Sequence, residues 1–296
     1  MSFILFAILA QFINAVVALI DKHLITSRKE IADPTAYAFY VGLLSGVVII
    51  VAPFGIKMPP SFSYFGLSLA SSVAFIFSIL FMYKALKVSD ASDVAPAIGA
   101  LSALSSFIFG WLIIGGVARG NFLWAFVLLS AGTALMSYFR FNKKTALYLL
   151  AGGVLLGLSA VLVKAMFLRG SFLDGFFWSR MTNVIAAVFL LVRPSDRKMI
   201  SDNIRASSSK AKLFVAGNKL MAGVAFLLIL VAINLGDVAI VNALGGLQFI
   251  FLLIFTLIFT KHLPDFMYED ISSRHIVGQK IIATVLITAG LMMLFV

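Results

Sequence analysis

Ten apolar runs, each about the length of a membrane span and each bounded by charge, proline or glycine, take up most of the 296-residue chain. They are Phe3–Ile25, Thr35–Phe54, Ser63–Leu86, Ser92–Ile114, Asn121–Phe139, Thr145–Leu168, Phe172–Val192, Lys212–Ile233, Asp237–Thr260 and Val277–Val296. A bilayer core about 30 Å thick takes about 20 helical residues to cross. In lipid only helices and closed barrels satisfy their own backbone groups. Composition agrees: 62% of residues are hydrophobic and 12% charged, against roughly 25% charged in soluble domains. The expected fold is an all-α integral membrane protein of ten transmembrane helices, with no room left for a soluble catalytic domain. The first run lacks the basic flank and the small-residue cleavage pattern of a signal peptide, and is expected to be a span.

The chemistry that the chain lacks narrows its function. There is no cysteine, and His23, His262 and His275 show no metal-ligand spacing, so no metal or cofactor is expected. No His-Glu-x-x-His motif, intramembrane aspartate pair or nucleotide-binding loop is present, which argues against an enzyme and against direct ATP drive. The net charge of +11 sits at the membrane edges rather than among exposed aromatics, so nucleic acid is not an expected partner. Connections after odd-numbered spans carry most of the Lys and Arg, from Lys22, Arg28 and Lys29 to Lys261 and Arg274. Those after even-numbered spans carry only Lys57, Arg119 and Arg169. Because basic connections stay cytoplasmic, both termini are expected outside, with the cytoplasmic membrane as the location.

The two halves repeat. The third-to-fourth junction, Ala85-Leu-Lys-Val-Ser-Asp90-Ala-Ser-Asp-Val94 running on to Gly99, matches the eighth-to-ninth, Ala232-Ile-Asn-Leu-Gly-Asp237-Val-Ala-Ile-Val241 running on to Gly246. Ala18 and Lys22 near the end of the first span match Ala160 and Lys164 near the end of the sixth. Ser130-Ala-Gly132 matches Thr288-Ala-Gly290. An odd number of spans per copy turns the second copy upside down, giving two inverted five-helix repeats, 1–139 and 140–296. Secondary transporters use this arrangement to expose a midplane site to each side in turn. The hinge Ala-x-x-x-(Ser/Gly)-Asp, the small-residue helix after it and the glycine-containing closing helix together resemble the EamA family of the drug/metabolite transporter superfamily. That resemblance spans essentially the whole chain and implies a ten-helix basket around a cavity for small metabolites. Where many members carry a glutamate after the fourth and ninth helices, this chain has Gly115-Gly116 and Lys261-His262.

Polar residues inside the spans are the candidate site, because burying them in hydrocarbon is costly. Arg180, about 12 Å into the seventh span, and Lys219, with Asn218 beside it, are too deep to snorkel easily. They are expected either to line a substrate cavity or to bond backbone at helix breaks. Asn14, Asn183, Asn242 and Gln248 are amides suited to substrate contact or interhelical bonding. Tyr40 and Trp178 hold corresponding places in the second and seventh spans and are candidate cavity aromatics. With no acid expected at the depth of Arg180 and Lys219, the cavity carries surplus positive charge and favours an anionic solute, such as an amino acid or organic acid.

Lys22 and Lys164 are expected to anchor at the interface. Asp90, Asp93 and Asp237 are expected to cap the fourth and ninth helices, and Pro96 to sit in a first turn. Gly42-x-x-x-Gly46 and Gly153-x-x-x-Gly157 predict close helix contacts within one bundle; a homodimer stays open. The expected function is secondary transport of a small metabolite, working as a permease or exporter by alternating access. Translocation of lipid-linked headgroups is the alternative.

Overall fold

The structure is a computed structural model that describes residues 2–26, 33–56, 61–115, 121–137, 142–236, 238, 241, 244–259 and 274–293. Asp237 and Asn242 lie outside the described residues. Among the described residues the chain is all helical, with no strand. Six helices among the described residues are long and apolar enough to cross a membrane, seven if the bent pair below counts as one span. The chain is thus an integral membrane protein in architecture.

The helices are α1 Ser2–Thr26, α2 Pro34–Leu44, α3 Phe62–Leu86, α4 Ala91–Phe109, α5 Phe122–Ser137, α6 Lys143–Arg169, α7 Phe172–Phe189, α8 Pro194–Ala206, α9 Ser209–Leu235, α10 Gly246–Phe259 and α11 Arg274–Met293. Side-chain caps fix several starts. Asp33, Ser61, Asn142, Ser171 and Ser208 each accept from an amide three residues on, meeting donors that a helix start leaves free. Two expected spans change winding part-way. After Leu44 the second tightens into a 3₁₀ helix, Ser45–Phe54, which ends at Gly55 with φ 93°. The fourth loosens into a π turn, Gly110–Ile114, which ends at Gly115 with φ 75°. Left-handed backbone at these two ends suits glycine, which has no Cβ to clash.

Two expectations are corrected here, and one helix is found that the apolar runs did not indicate. In the connection after the seventh span α8 folds, bent 110° from α7 and packed on α2. Pro194 at its first turn, Asp196 there and Arg205 in its last turn suit a helix start and end, and Ile200 is buried. Pro96 is the sixth residue of α4 rather than a first-turn proline, because the helix begins at Ala91. Asp90 stands at the N-cap of α4, but its side chain makes no capping bond. It instead meets Lys280 of α11 at 3.1 Å, and Lys280 lies 3.4 Å from Asp93.

Packing follows the small residues. α6 lies along α3 and α4, α1 along α9 and α10, α5 along α11, and α2 against α3 and α7. A methyl on Gly157 would meet Ser105 Oγ, Ser102 O and Ser106 N of α4, and one on Gly153 would meet Leu101. Gly42 and Gly46 of the second span similarly face Ala187 and Val184 of α7. Both expected glycine pairs therefore make the close contacts they predict. Gly132 of α5 abuts Ile287 of α11, and Gly290 of α11 abuts Leu128 and Leu129 of α5, a reciprocal contact. Hydroxyls join α3 to α7: Thr182 Oγ1 lies 2.7 Å from both Ser68 Oγ and Ser72 Oγ, and Ser72 donates to Ser179 O.

The two lysines expected at the interface do other work. Lys22 Nζ donates to the carbonyls of Leu86 and Ser89, each at 2.8 Å, where α3 ends. Lys164 Nζ donates to the carbonyls of Ile233 at 2.8 Å and Gly236 at 3.0 Å, where α9 ends. A cation at the negative end of a helix, bonded to carbonyls with no partner of their own, is favourable by both dipole and hydrogen bond.

Candidate functional site

Five polar side chains from four helices meet in one buried network. Asp21, near the end of α1, is its hub. Its Oδ1 accepts from Lys219 Nζ at 2.7 Å, Asn218 Nδ2 at 2.5 Å and the Tyr37 hydroxyl at 2.5 Å. Its Oδ2 accepts from the Tyr83 hydroxyl at 3.2 Å. Lys219 also donates to Tyr83 Oη at 2.9 Å and lies over the Tyr37 ring, 4.2 Å from its centroid. Asp21 is 3% exposed and Lys219 8%. The arrangement is a buried ion pair whose carboxylate receives four donors, the condition under which burying two charges is tolerable.

This network overturns one reading of the sequence. Lys219 is not surplus charge, because an acid does stand at its depth. That acid is Asp21 of α1. The two partners are 198 residues apart, and only the packing of α9 along α1 joins them. Tyr37 and Tyr83 also went unremarked in the sequence. Both are wholly buried aromatics, with ring centroids 4.7 Å apart.

Arg180 occupies a second place, between α3, α7 and α9. Its guanidinium carbon lies 3.9 Å from the centroid of Phe226 and 5.0 Å from that of Phe75. Its Nη1 is 3.3 Å from the Asn183 side-chain oxygen in the amide orientation that satisfies the surroundings. In that orientation the Asn183 nitrogen donates to Ser72 Oγ at 2.9 Å and Ser179 O at 3.2 Å. The Nε of Arg180 is buried and has no hydrogen-bond partner. Among the described residues no ion pair joins Arg180 to a carboxylate.

The other expected site residues are spread around these two places. Asn14 of α1 and Gln248 of α10 come together, with Gln248 Nε2 3.4 Å from Asn14 O. Tyr40 packs beside Phe39, and its hydroxyl is buried without a hydrogen-bond partner. Trp178 sits edge-on to Phe65 of α3, 6.1 Å between centroids, an interhelical aromatic contact. No group of three or more metal-ligating side chains occurs among the described residues.

Comparison with known proteins bears on the fold alone. No family model matches the chain, and no curated protein does. Matches do occur among solved structures, 27 chains in all. One, described only as "Crystal structure of protein", superposes with a TM-score of 0.61 at 18% identity, covering 99% of this chain and 96% of that one. The fold has been seen in a crystal. At that identity nothing about substrate or activity carries across.

Proposed function

We propose that the chain is a secondary-active transporter of a small metabolite, working by alternating access, with ten spans in two inverted five-helix repeats as in the EamA family. The observation that carries this reading is the Asp21 network. It ties α1, α2 and α3, all in 1–139, to α9 in 140–296, through polar bonds set within an apolar contact that includes Phe75 with Phe226 and Val215 with the Tyr37 cluster. A polar network of this kind holds when formed and can trade its bonds for water or solute when the helices part, as a closable gate between two moving halves requires.

The two lysines support the duplication. The register that aligns Ala85 with Ala232 also aligns Leu86 with Ile233 and Ser89 with Gly236. These are the carbonyls that the matched pair Lys22 and Lys164 select. Sequence register and hydrogen bonding are independent, so their agreement favours descent from one five-helix unit. The reciprocal glycine contacts of α5 and α11 point the same way. The location that goes with this reading is the cytoplasmic membrane, with both termini outside.

A lipid-linked headgroup translocator draws on one observation, a sideways-open groove of about 540 Å³ between α3 and α6. Its lining, including Leu69, Val73, Phe77, Phe81 and Leu155, is apolar and would take hydrocarbon rather than a headgroup. Reconstitution into liposomes tests the transporter reading. Counterflow of at least one small carboxylate is expected, and Lys219→Met, which breaks the gate, is expected to abolish it. Solute binding without flux would make the protein a receptor and end the reading.

A further inference from the structure

We infer that Arg180, set against the edge-to-face pair Phe75 and Phe226, is the binding point for a small monocarboxylate, held through the guanidinium edge that carries Nε. The inference rests on the transporter reading only in making the carboxylate its cargo; the site itself is argued from its own geometry.

A guanidinium keeps its charge in a protein and offers five donors in a fixed plane. Here one side of that plane faces aromatic rings, Phe226 the nearer. Of the in-plane donors, Nη1 meets the Asn183 oxygen, while Nε is buried and unused. The depth of Arg180, about 12 Å along α7 from Phe172, keeps it from reaching a headgroup easily. A buried donor left unmade costs on the order of 1–3 kcal/mol, and a buried charge without a counter-ion costs more. Proteins retain such a group where something arrives to satisfy it. The arriving group must be an anion with two in-plane acceptors, which is the shape of a carboxylate on an arginine edge.

The number of charges limits the class further. Lys219, the other deep cation singled out from the sequence, is neutralised by Asp21. Phe75 and Tyr83 are eight residues apart on α3, and Phe226 and Lys219 seven apart on α9. The two places therefore stand about 10–12 Å from each other along the helices. One unmatched positive charge suits one negative charge. The adjoining Phe75 and Phe226 make the surroundings apolar, which disfavours a strongly hydrated dianion, so an aromatic or other apolar monocarboxylate fits best.

Purified protein should bind benzoate, read by calorimetry and by a rise in unfolding temperature, and should bind the neutral isostere benzamide at least about tenfold more weakly. Arg180→Gln should lose the benzoate response, and Arg180→Lys should keep part of it. Without ligand, Arg180→Met should unfold no earlier than the parent, because it removes an unsatisfied charge; an arginine kept only for structure would give the opposite. Equal responses to benzoate and benzamide, a benzoate response surviving in Arg180→Gln, or no benzoate response in the parent overturns the inference. Tighter binding of phenyl phosphate than of benzoate overturns the carboxylate assignment. Arg180-dependent binding without flux would leave this site standing and remove the transporter reading. Flux untouched by Arg180→Gln would do the reverse.

Discussion

A carboxylate that takes four donors inside a membrane protein is sensitive to the loss of any one of them, and most of all to the loss of the charged one. Removing Lys219 leaves Asp21 with Tyr37, Tyr83 and Asn218 but without a counter-charge. Breaking a buried ion pair from one side costs about 3–5 kcal/mol. Lys219→Met alone is therefore expected to lower stability by that order. Asp21→Asn with Lys219→Met, which removes both charges and keeps an acceptor for the tyrosines, should cost clearly less than the two single changes summed. Unfolding of the four proteins in one detergent reads the difference, and a coupling below about 0.5 kcal/mol would mean that the pair is not a unit. The site was only half legible in the sequence for the same reason. Lys219, Asn218 and Arg180 announce themselves by lying deep in apolar runs. Asp21 sits near a helix end, where an acid is unremarkable, and its importance comes from a partner 198 residues away.

At the scale of elements, the apolar runs were readable because the bilayer imposes their length, and α1, α3, α5, α6, α7, α9 and α11 begin and end within a few residues of them. Phe172–Val192 is one case, observed as Phe172–Phe189 before the bend. The ninth run, Asp237–Thr260, differs, since α10 begins only at Gly246 after a turn at 244–245. α8 was not read, since a scan for apolar runs passes over a polar amphipathic helix; Pro194, Asp196 and Arg205 were the signals available. The change to 3₁₀ winding at Ser45 was not readable either: nothing in Ser45-Gly-Val-Val-Ile-Ile distinguishes it from ordinary helix. Where helices approach, the glycines set the limit. Gly157→Ala places a methyl against Ser102 O at 2.5 Å and Ser106 N at 2.8 Å, both backbone atoms that cannot give way without moving α4. Overpacking of this kind costs about 1–3 kcal/mol. Gly217→Ala on α9 meets nothing within 4 Å and should be neutral, or stabilising by up to about 1 kcal/mol through helix propensity. Unfolding temperatures of the two variants separate the cases. Equal effects would mean that the α4–α6 contact is looser than described.

For the molecule as a whole, the two halves are not packed alike, and the difference states what motion is available. α3 lies along α6 as its counterpart under the proposed duplication, α9, lies along α1, but α3 also lies along α2 and α7 whereas α9 only touches α2. If the halves are inverted twins, the opposite state is built by exchanging these roles: α9 closes on α2 while α3 withdraws from α7. The hydroxyl contact of Ser68 with Thr182 marks the closed pair now. The register that pairs Ala85 with Ala232 carries Ser68 to Val215. The one that pairs Tyr40 with Trp178 carries Thr182 back to Leu44. Val215 at present packs into the cluster around Tyr37 and Tyr83. The natural chain has no cysteine, so engineered pairs report without background. Ser68→Cys with Thr182→Cys is expected to cross-link at once and to stop flux by holding the present state. Val215→Cys with Leu44→Cys should cross-link only as the protein turns over. A chain that still carries solute with the first pair locked, and in which the second pair never forms, does not exchange the roles of its halves, and alternating access by inverted repeats would have to be given up.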